Sequence, residues 1–201
     1  QHGDHVLVIT INRPERRNAF DRATAEAMEA AVDQYEADPS LWVAVLTGAG
    51  GMFSAGLDLK AAAQGEYAVT DKRGPFGVCQ VRPAKPLIAA IEGHALAGGL
   101  ELALSCDLIV AARDSTMGLP EVRWGLMAAG GGLFRLPQRI PYHLAMEMLL
   151  TGKPQPASQL QSWGLVNRLS EPGDALAAAL DLADEIVACG PLAVATSARL
   201  M

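Results

Sequence analysis

At 201 residues the chain suits one domain. Half of its residues are apolar, 19% are charged and only 5% are aromatic, so it can bury a large core built mainly from Ala, Leu, Val and Ile. A net charge of −6 with no basic block argues against a nucleic-acid partner, and no apolar run reaches bilayer-spanning length, so no membrane partner is expected. Cys79, Cys106 and Cys189 are odd in number and widely spaced. They show neither a disulfide nor a metal framework, and no signal-peptide pattern opens the chain, which makes a reducing cytoplasm the expected compartment.

Residues 5–12 carry the alternation V-L-V-I-T-I and read as a first strand, ended by Arg13-Pro14. A loop over 14–20 carries Arg16 and Arg17. Asp21 is placed to cap a helix that runs to Asp38, with Ala25, Met28, Val32 and Tyr35 on one face, and Pro39 stops it. A strand over 41–46 leads into the turn Thr47-Gly48-Ala49-Gly50-Gly51 and the stretch Phe53 to Lys60. Residues 64–83 are polar, mixed and punctuated by Gly and Pro. They read as a surface loop with at most a short helix, of the kind that often lies over a binding site.

The stretch PLIAAIEGHALAGGLELALSCDLIVAAR, residues 86–113, organises the rest. Leu87 to Ile91 is too short for a helix and reads as a buried strand. A small-residue turn over 93–99 then leads to a short helix over 100–106 and a strand over 108–112. Further on, 116–119 reads as a short strand, and Gly130-Gly131-Gly132 precedes a helical stretch that Pro137 ends. Residues 142–150 and 156–163 read as helices and 166–169 as a short strand. Residues 174–188 form a helix with Leu176, Leu180, Ala183 and Val187 on one stripe. The final GPLAVATSARLM reads as a helix just begun. The expected organisation is therefore a core domain over 1–190 and the start of a truncated C-terminal helical segment over 191–201. Strand–helix units recur without a repeat of fixed period, which predicts an α/β fold.

Several motifs fail. Phe53 stands where a dinucleotide fingerprint starting at Gly48 needs its third glycine, and Met52 where a nucleophile elbow around Ser54 needs its first. His2, His5, His94 and His143 form no ligand pattern, so no metal is expected; His94, in the central turn, reads as packed or solvent-facing. Two features survive. Ala55-Gly56-Leu57 and Ala97-Gly98-Gly99 are glycine-flanked turns after strands. If those strands are neighbours, two amides converge on one oxygen; ordinary tight turns are the plainer alternative. The second feature is a pair of carboxylates among apolar neighbours, Glu101 in LAGGLELAL and Glu121 in GLPEVRWGL. Burial would raise their pKa values and suit them to acid–base work, while a capping or salt-bridging role is equally open for each.

FSAGLDLK, IEGHALAGGLELALSCDLIVA and GLPEVRWGL, with RPERRNA, GGGLFRLP and LLTGKPQPASQLQSWGLVNRL, resemble the crotonase superfamily, the enoyl-CoA hydratase/isomerase group. The motifs fall in order and at family spacing over nearly the whole chain. The resemblance implies a crotonase-like spiral of ββα units with an acyl-CoA thioester bound across it, a role in lipid metabolism, and no cofactor beyond the CoA of the substrate itself. It implies a homotrimer or dimer of trimers, assembled through C-terminal helices. By position, Leu57 and Gly98 would supply the oxyanion-hole amides, and Glu101 and Glu121 the catalytic pair. Having both glutamates favours syn addition of water to a 2-enoyl-CoA, the enoyl-CoA hydratase reaction. FSAGLDLKAAAQGE and RLPQRIP also resemble carnitinyl-CoA dehydratases. Arg16, Arg17 and Lys60 are candidates for the CoA phosphates, with solvated cations as the alternative, and the backbone from Ala55 to Asp58 for the adenine or pantetheine end. Met127-Ala128-Ala129 departs from the Pro-Gly or Pro-Asp pair usual before the glycines of that loop, which leaves the acyl group open. An isomerase on the same scaffold and a non-catalytic acyl-CoA binder are the rival readings.

Overall fold

The apolar runs at 43–46, Leu87–Ile91 and Leu108–Ala112 become central strands of one parallel sheet. A computed structural model describes residues 2–200. Its elements in chain order are β1 (Val6–Ile11), α1 (Arg22–Ala37), β2 (Val43–Gly48), α2 (Leu59–Ala62), β3 (Val69–Thr70), β4 (Gly74–Pro75), β5 (Leu87–Ile91), β6 (His94–Leu96), α3 (Gly98–Ser105), β7 (Leu108–Ala112), β8 (Thr116–Gly118), α4 (Gly132–Arg139), α5 (Tyr142–Thr151), β9 (Gln155–Pro156), α6 (Ala157–Ser162), β10 (Arg168–Ser170), α7 (Ala175–Val187) and α8 (Pro191–Leu200). The sheet order is β1-β2-β5-β7-β10, parallel throughout. Both faces of the central strands are covered, which is why they lack a polar alternation. Ala44, Leu46, Ala89 and Ile91 face the main core with α1 and α3, while Val43, Val45, Ile88 and Ala90 face α7.

A strand–strand–helix unit recurs. β5 passes into β6 and α3; β7 passes into β8 and then, after a 3-10 turn at Glu121–Trp124, into α4. β6 pairs in parallel with β8, and Ser54 bridges Ala95 in parallel, so a second, narrower sheet stacks beside the first. Because β2, β5 and β7 are neighbours, the segments that leave this narrow sheet are neighbours too. The turn expected over 93–99 thus holds a strand, β6, between Gly93 and the Gly98-Gly99 pair.

Asp21 caps α1 as expected, accepting from the Thr24 amide at 2.9 Å, and Ala25, Met28, Val32 and Tyr35 are its buried face. Three local expectations are corrected. Residues 64–83 are no surface loop: they contain the β3–β4 hairpin and bury Arg73, Phe76, Val78 and Cys79. Arg73 can be buried because its guanidinium is fully paired, to Asp33 at 2.7 Å, to Glu36, and to the Val81 carbonyl at 3.0 Å. Pro137 does not end its helix but lies inside α4, which stops at Arg139. One missing N–H late in a short helix removes a single bond, and Ile140 N still donates to the Leu136 carbonyl. On α7 the buried line is Ala175, Ala179, Leu182 and Ala183, with Leu176, Leu180 and Val187 beside it. The small alanines bring that helix close to the sheet. Its first amides are capped from across the fold, Glu92 accepting from Ala175 N at 2.8 Å and Gly173 N at 3.1 Å.

The C-terminal segment forms α8, none of whose residues is buried. Residues 1 and 201, the outer ends of the two expected divisions, lie outside the described residues. Among the described residues no helix is long and apolar enough to cross a membrane.

Candidate active site

The segment 54–58 is stitched on two sides. Toward β6, Ser54 N donates to the His94 carbonyl and Leu96 N to the Ser54 carbonyl, both at 3.1 Å. Toward the loop before α1, Phe20 N donates to the Gly56 carbonyl at 2.7 Å and Asp58 N to the Phe20 carbonyl at 2.8 Å. Asn18, fully buried, pins that loop: its side chain accepts from Arg13 N at 2.9 Å and donates to the carbonyls of Ala49 at 2.9 Å and Met52 at 2.6 Å. Ser54 Oγ closes the knot by donating to the Asn18 carbonyl at 2.8 Å.

This stitching brings the two glycine turns together. Gly56 has φ +87°, and a Cβ built on it would lie 2.6 Å from the Gly98 nitrogen. Only glycine permits both that conformation and that approach. The surrounding amides are all bonded: Ala55 N to the Arg17 carbonyl at 3.0 Å, Gly56 N to Ser54 Oγ at 3.0 Å, Asp58 N to the Phe20 carbonyl, and Ala97 N to the Gly118 carbonyl at 2.9 Å. Among the described residues the amides of Leu57 and Gly98 have no acceptor. Gly98 opens α3, where an amide has no intrahelical partner and the helix dipole favours negative charge. Ala97, just before it, holds φ +51°, a strained conformation for a residue with a Cβ. Two donors on adjoining turns, both unused by the fold, are what a carbonyl oxygen gaining charge requires.

Two carboxylates are the other candidates. Glu101 sits on the first turn of α3 and is 3% exposed. Gly132 N donates to its Oε1 at 2.9 Å, and a Cβ on Gly130 would lie 2.7 Å from its Oε2. The three glycines at the start of α4, Gly130 to Gly132, thus wrap this carboxylate, a role their sequence did not reveal. Burial pushes the Glu101 pKa up, against the donors of Gly132 and Gly130 and the Arg135 charge. Glu121 opens the 3-10 turn after β8 and is half-buried. Its Oε2 is buried without a hydrogen-bond partner among the described residues. Burial is the main cause that raises its pKa to about 7; its own backbone amide opposes this, and the charge of Glu101 adds to it. The Glu101 charge thus contributes to the Glu121 shift, and a buried carboxylate oxygen with no partner makes Glu121 a candidate functional group.

The remaining sequence candidates surround the Leu57 turn. Arg17, at φ +54°, accepts from Ala55 N through its carbonyl; its side chain, that of Arg16 and that of Lys60 are exposed, and among the described residues none of the three makes an ion pair. Asp58 caps α2, accepting from Lys60 N at 3.1 Å and Ala61 N at 3.3 Å, and lies 3.5 Å from Arg13. Its carboxylate is therefore occupied within the fold, and Ala55 N is likewise bonded. His94 is exposed, with Nδ1 2.7 Å from Thr116 Oγ1. Among the described residues no group of His, Cys, Asp and Glu could hold a metal. Besides the Gly130–Gly132 wrap, the residues that sequence reasoning missed are Asn18, which fixes the Leu57 turn, and Arg135, which donates to the Gly130 carbonyl at 3.1 Å.

Residues 1–201 match the family described as Enoyl-CoA hydratase/isomerase. The chain belongs to that family. It is 43% identical over 197 residues to the enoyl-CoA hydratase EchA19 of Mycobacterium tuberculosis, covering 94% of this chain and 74% of that protein. It is also 43% identical over 195 residues to a carnitinyl-CoA dehydratase of Salmonella arizonae, with the same shares covered. Among solved structures, an enoyl-CoA hydratase from Mycobacterium tuberculosis H37Rv matches with a TM-score of 0.96 at 56% identity, over 99% of this chain and 79% of that one. A carnitinyl-CoA hydratase from Mycobacterium avium matches with a TM-score of 0.96 at 42% identity, over 100% and 78%. The crotonase-like α/β fold expected from the motifs is the fold of this family member, and the recurring ββα unit is its visible signature.

Proposed function

We propose that this family member is an enoyl-CoA hydratase that adds water, syn, to a 2-enoyl-CoA thioester. The single observation that carries this reading is the pair of unused amides, Leu57 and Gly98, on turns that touch. The thioester oxygen accepts from both. As the carbonyl polarises, C3 becomes electrophilic; each such donor is worth roughly 3 kcal/mol. Glu101, ionised, takes a proton from the water whose oxygen bonds to C3. The C2–C3 π electrons pass to the thioester as an enolate held by the two amides. Glu121, protonated, then gives its proton to C2 as the enolate collapses, and solvent resets the pair. The separated environments of the two acids support opposite protonation states near neutral pH.

Arg16, Arg17 and Lys60 are the cations we assign to the CoA phosphates, supported by their exposure around the Leu57 turn and the lack of internal ion pairs; the backbone at Ala55 and Asp58 would face the pantetheine. The reaction needs no cofactor beyond the substrate's own CoA. We infer a homotrimer or dimer of trimers, with residues 191–201 opening the assembling segment, a reading supported by the exposure of α8. We infer a cytoplasmic setting, supported by the wide spacing of the three cysteines in the sequence. A second reading, a carnitinyl-CoA dehydratase, is favoured by the equal identity to proteins of that name. It uses the same two acids in the direction of water loss.

Because Glu121 must hold its proton, kcat/KM for crotonyl-CoA hydration should fall as pH rises through about 7. An acid limb should appear above the ordinary carboxylate value of 4.5, where Glu101 loses its charge. A pH–rate profile checks both limbs; a rate flat from pH 6 to 9 would remove Glu121 as the acid.

A further inference from the structure

Phe76 stands at the site in an unusual backbone conformation. Its φ is +56°, a true outlier for an aromatic residue, and its ring is almost fully buried. The ring fills the corner between the two halves of the site. A Cβ on Gly98 would lie 2.1 Å from Phe76 Cζ, and a Cβ on Gly130 would lie 3.1 Å from Phe76 Cε2. It therefore stands against the oxyanion amide on one side and against the glycine that wraps Glu101 on the other. Behind it, Phe20 meets the ring edge-on, with centroids 5.5 Å apart.

The segment that carries it is clamped. Arg73, 1% exposed, ties it to α1 through Asp33 and Glu36, while Arg73 N donates to Glu29 at 2.9 Å. Gly77 rests on α1 so closely that a Cβ would lie 2.2 Å from the Ala25 carbonyl oxygen. Phe76 N donates to the Ala68 carbonyl at 2.7 Å. On the far side, Arg135 donates both to the Cys79 carbonyl and to the Gly130 carbonyl, joining this segment to the loop that holds Glu101. A left-handed aromatic persists only where the surroundings over-determine it, and such strain gathers at functional positions.

We propose that Phe76 is a specificity-determining wall of the acyl site that excludes a branch at C2 of the enoyl chain. This rests on the hydratase reading above. With the thioester oxygen on the Gly98 amide and C3 before Glu101, C2 passes the ring end, Cζ and Cε2, that lies between Gly98 and Gly130. An unbranched 2-enoyl chain clears that edge, and a C2 methyl lies against it. Pockets discriminate one methyl by about ten- to two-hundredfold.

The test is kcat/KM for crotonyl-CoA, 2-methylbut-2-enoyl-CoA and dec-2-enoyl-CoA in the native enzyme, Phe76→Ala and Phe76→Leu. The ratio of the 2-methyl substrate to crotonyl-CoA should rise roughly tenfold or more in Phe76→Ala. The ratio of the long straight chain to crotonyl-CoA should move less than about threefold, since that chain leaves the site beyond C3. Phe76→Leu should raise the first ratio by a smaller factor, and it decides the matter if the alanine variant does not fold. An unchanged first ratio, or both ratios rising together, overturns the proposal while native turnover of crotonyl-CoA leaves the hydratase reading standing. Absence of native turnover on all three substrates sinks that reading and the wall with it.

Discussion

Glu121→Gln is expected to slow crotonyl-CoA hydration by at least about a hundredfold, as loss of a general acid does, and at pH 8 to melt at a higher temperature than the native enzyme. The two effects have one cause. Glu121 has a folded pKa of about 7, above its ordinary 4.5. Between those values the folded chain binds more protons than the unfolded chain, so stability falls as pH rises across that window. Above pH 7 the native enzyme carries the full cost of a buried charge whose Oε2 has no partner. Glutamine carries none of it. The stability gain should therefore be present at pH 8 and vanish below about pH 4.5. Melting curves at pH 8 and pH 4.5, read beside the loss of enoyl absorbance, check both halves. Near-normal turnover would take Glu121 out of the mechanism, and a lower melting temperature at pH 8 would show that the carboxylate supports the fold.

Gly98→Ala should cost about a hundred- to a thousandfold in kcat, the loss seen when one oxyanion donor is removed. The new methyl would lie 2.1 Å from Phe76 Cζ, so either the ring or the start of α3 must move. The Gly98 amide sits on that start, and the aim at the thioester oxygen that we propose for it is lost with it. Binding of the CoA portion is remote, so KM should change far less than kcat. The contact also predicts a partial rescue: in a Phe76→Ala background the same substitution should cost markedly less, a coupling that a double-mutant cycle measures. Gly190→Ala is the control, since nothing lies within 4 Å of its added methyl and its φ is not positive. Full activity in Gly98→Ala would contradict the oxyanion assignment.

The sheet was legible because burial on both faces writes itself as apolar runs such as Leu87 to Ile91. The α1 boundaries were legible because Asp21 is a cap and Pro39 a stop. What could not be read was anything set by distant partners. Arg73 and its polar neighbours looked like a solvated loop; only Asp33 and Glu36, far away in the chain, make burial affordable there. The buried line of α7 escaped because Ala175 and Ala179, together with Leu182 and Ala183, carry its contact with the sheet rather than Leu176, Leu180 and Val187. At the site, the residue types of Glu101, Glu121, Leu57 and Gly98 were visible in the motifs. Asn18 and Ser54, which hold the Leu57 turn, and the Gly130–Gly132 wrap of Glu101 could not be read, because their bonds cross between segments and leave no local pattern.

The most direct measurement is the fate of crotonyl-CoA itself, followed by absorbance and by mass. The proposed arrangement, two amides over the carbonyl and two acids beside C2 and C3, predicts that the enoyl absorbance is lost and the thioester gains the mass of one water. A thioester bound tightly but recovered unchanged, or a 3-enoyl-CoA moved to the 2-enoyl isomer with no water taken up by either, would contradict the account.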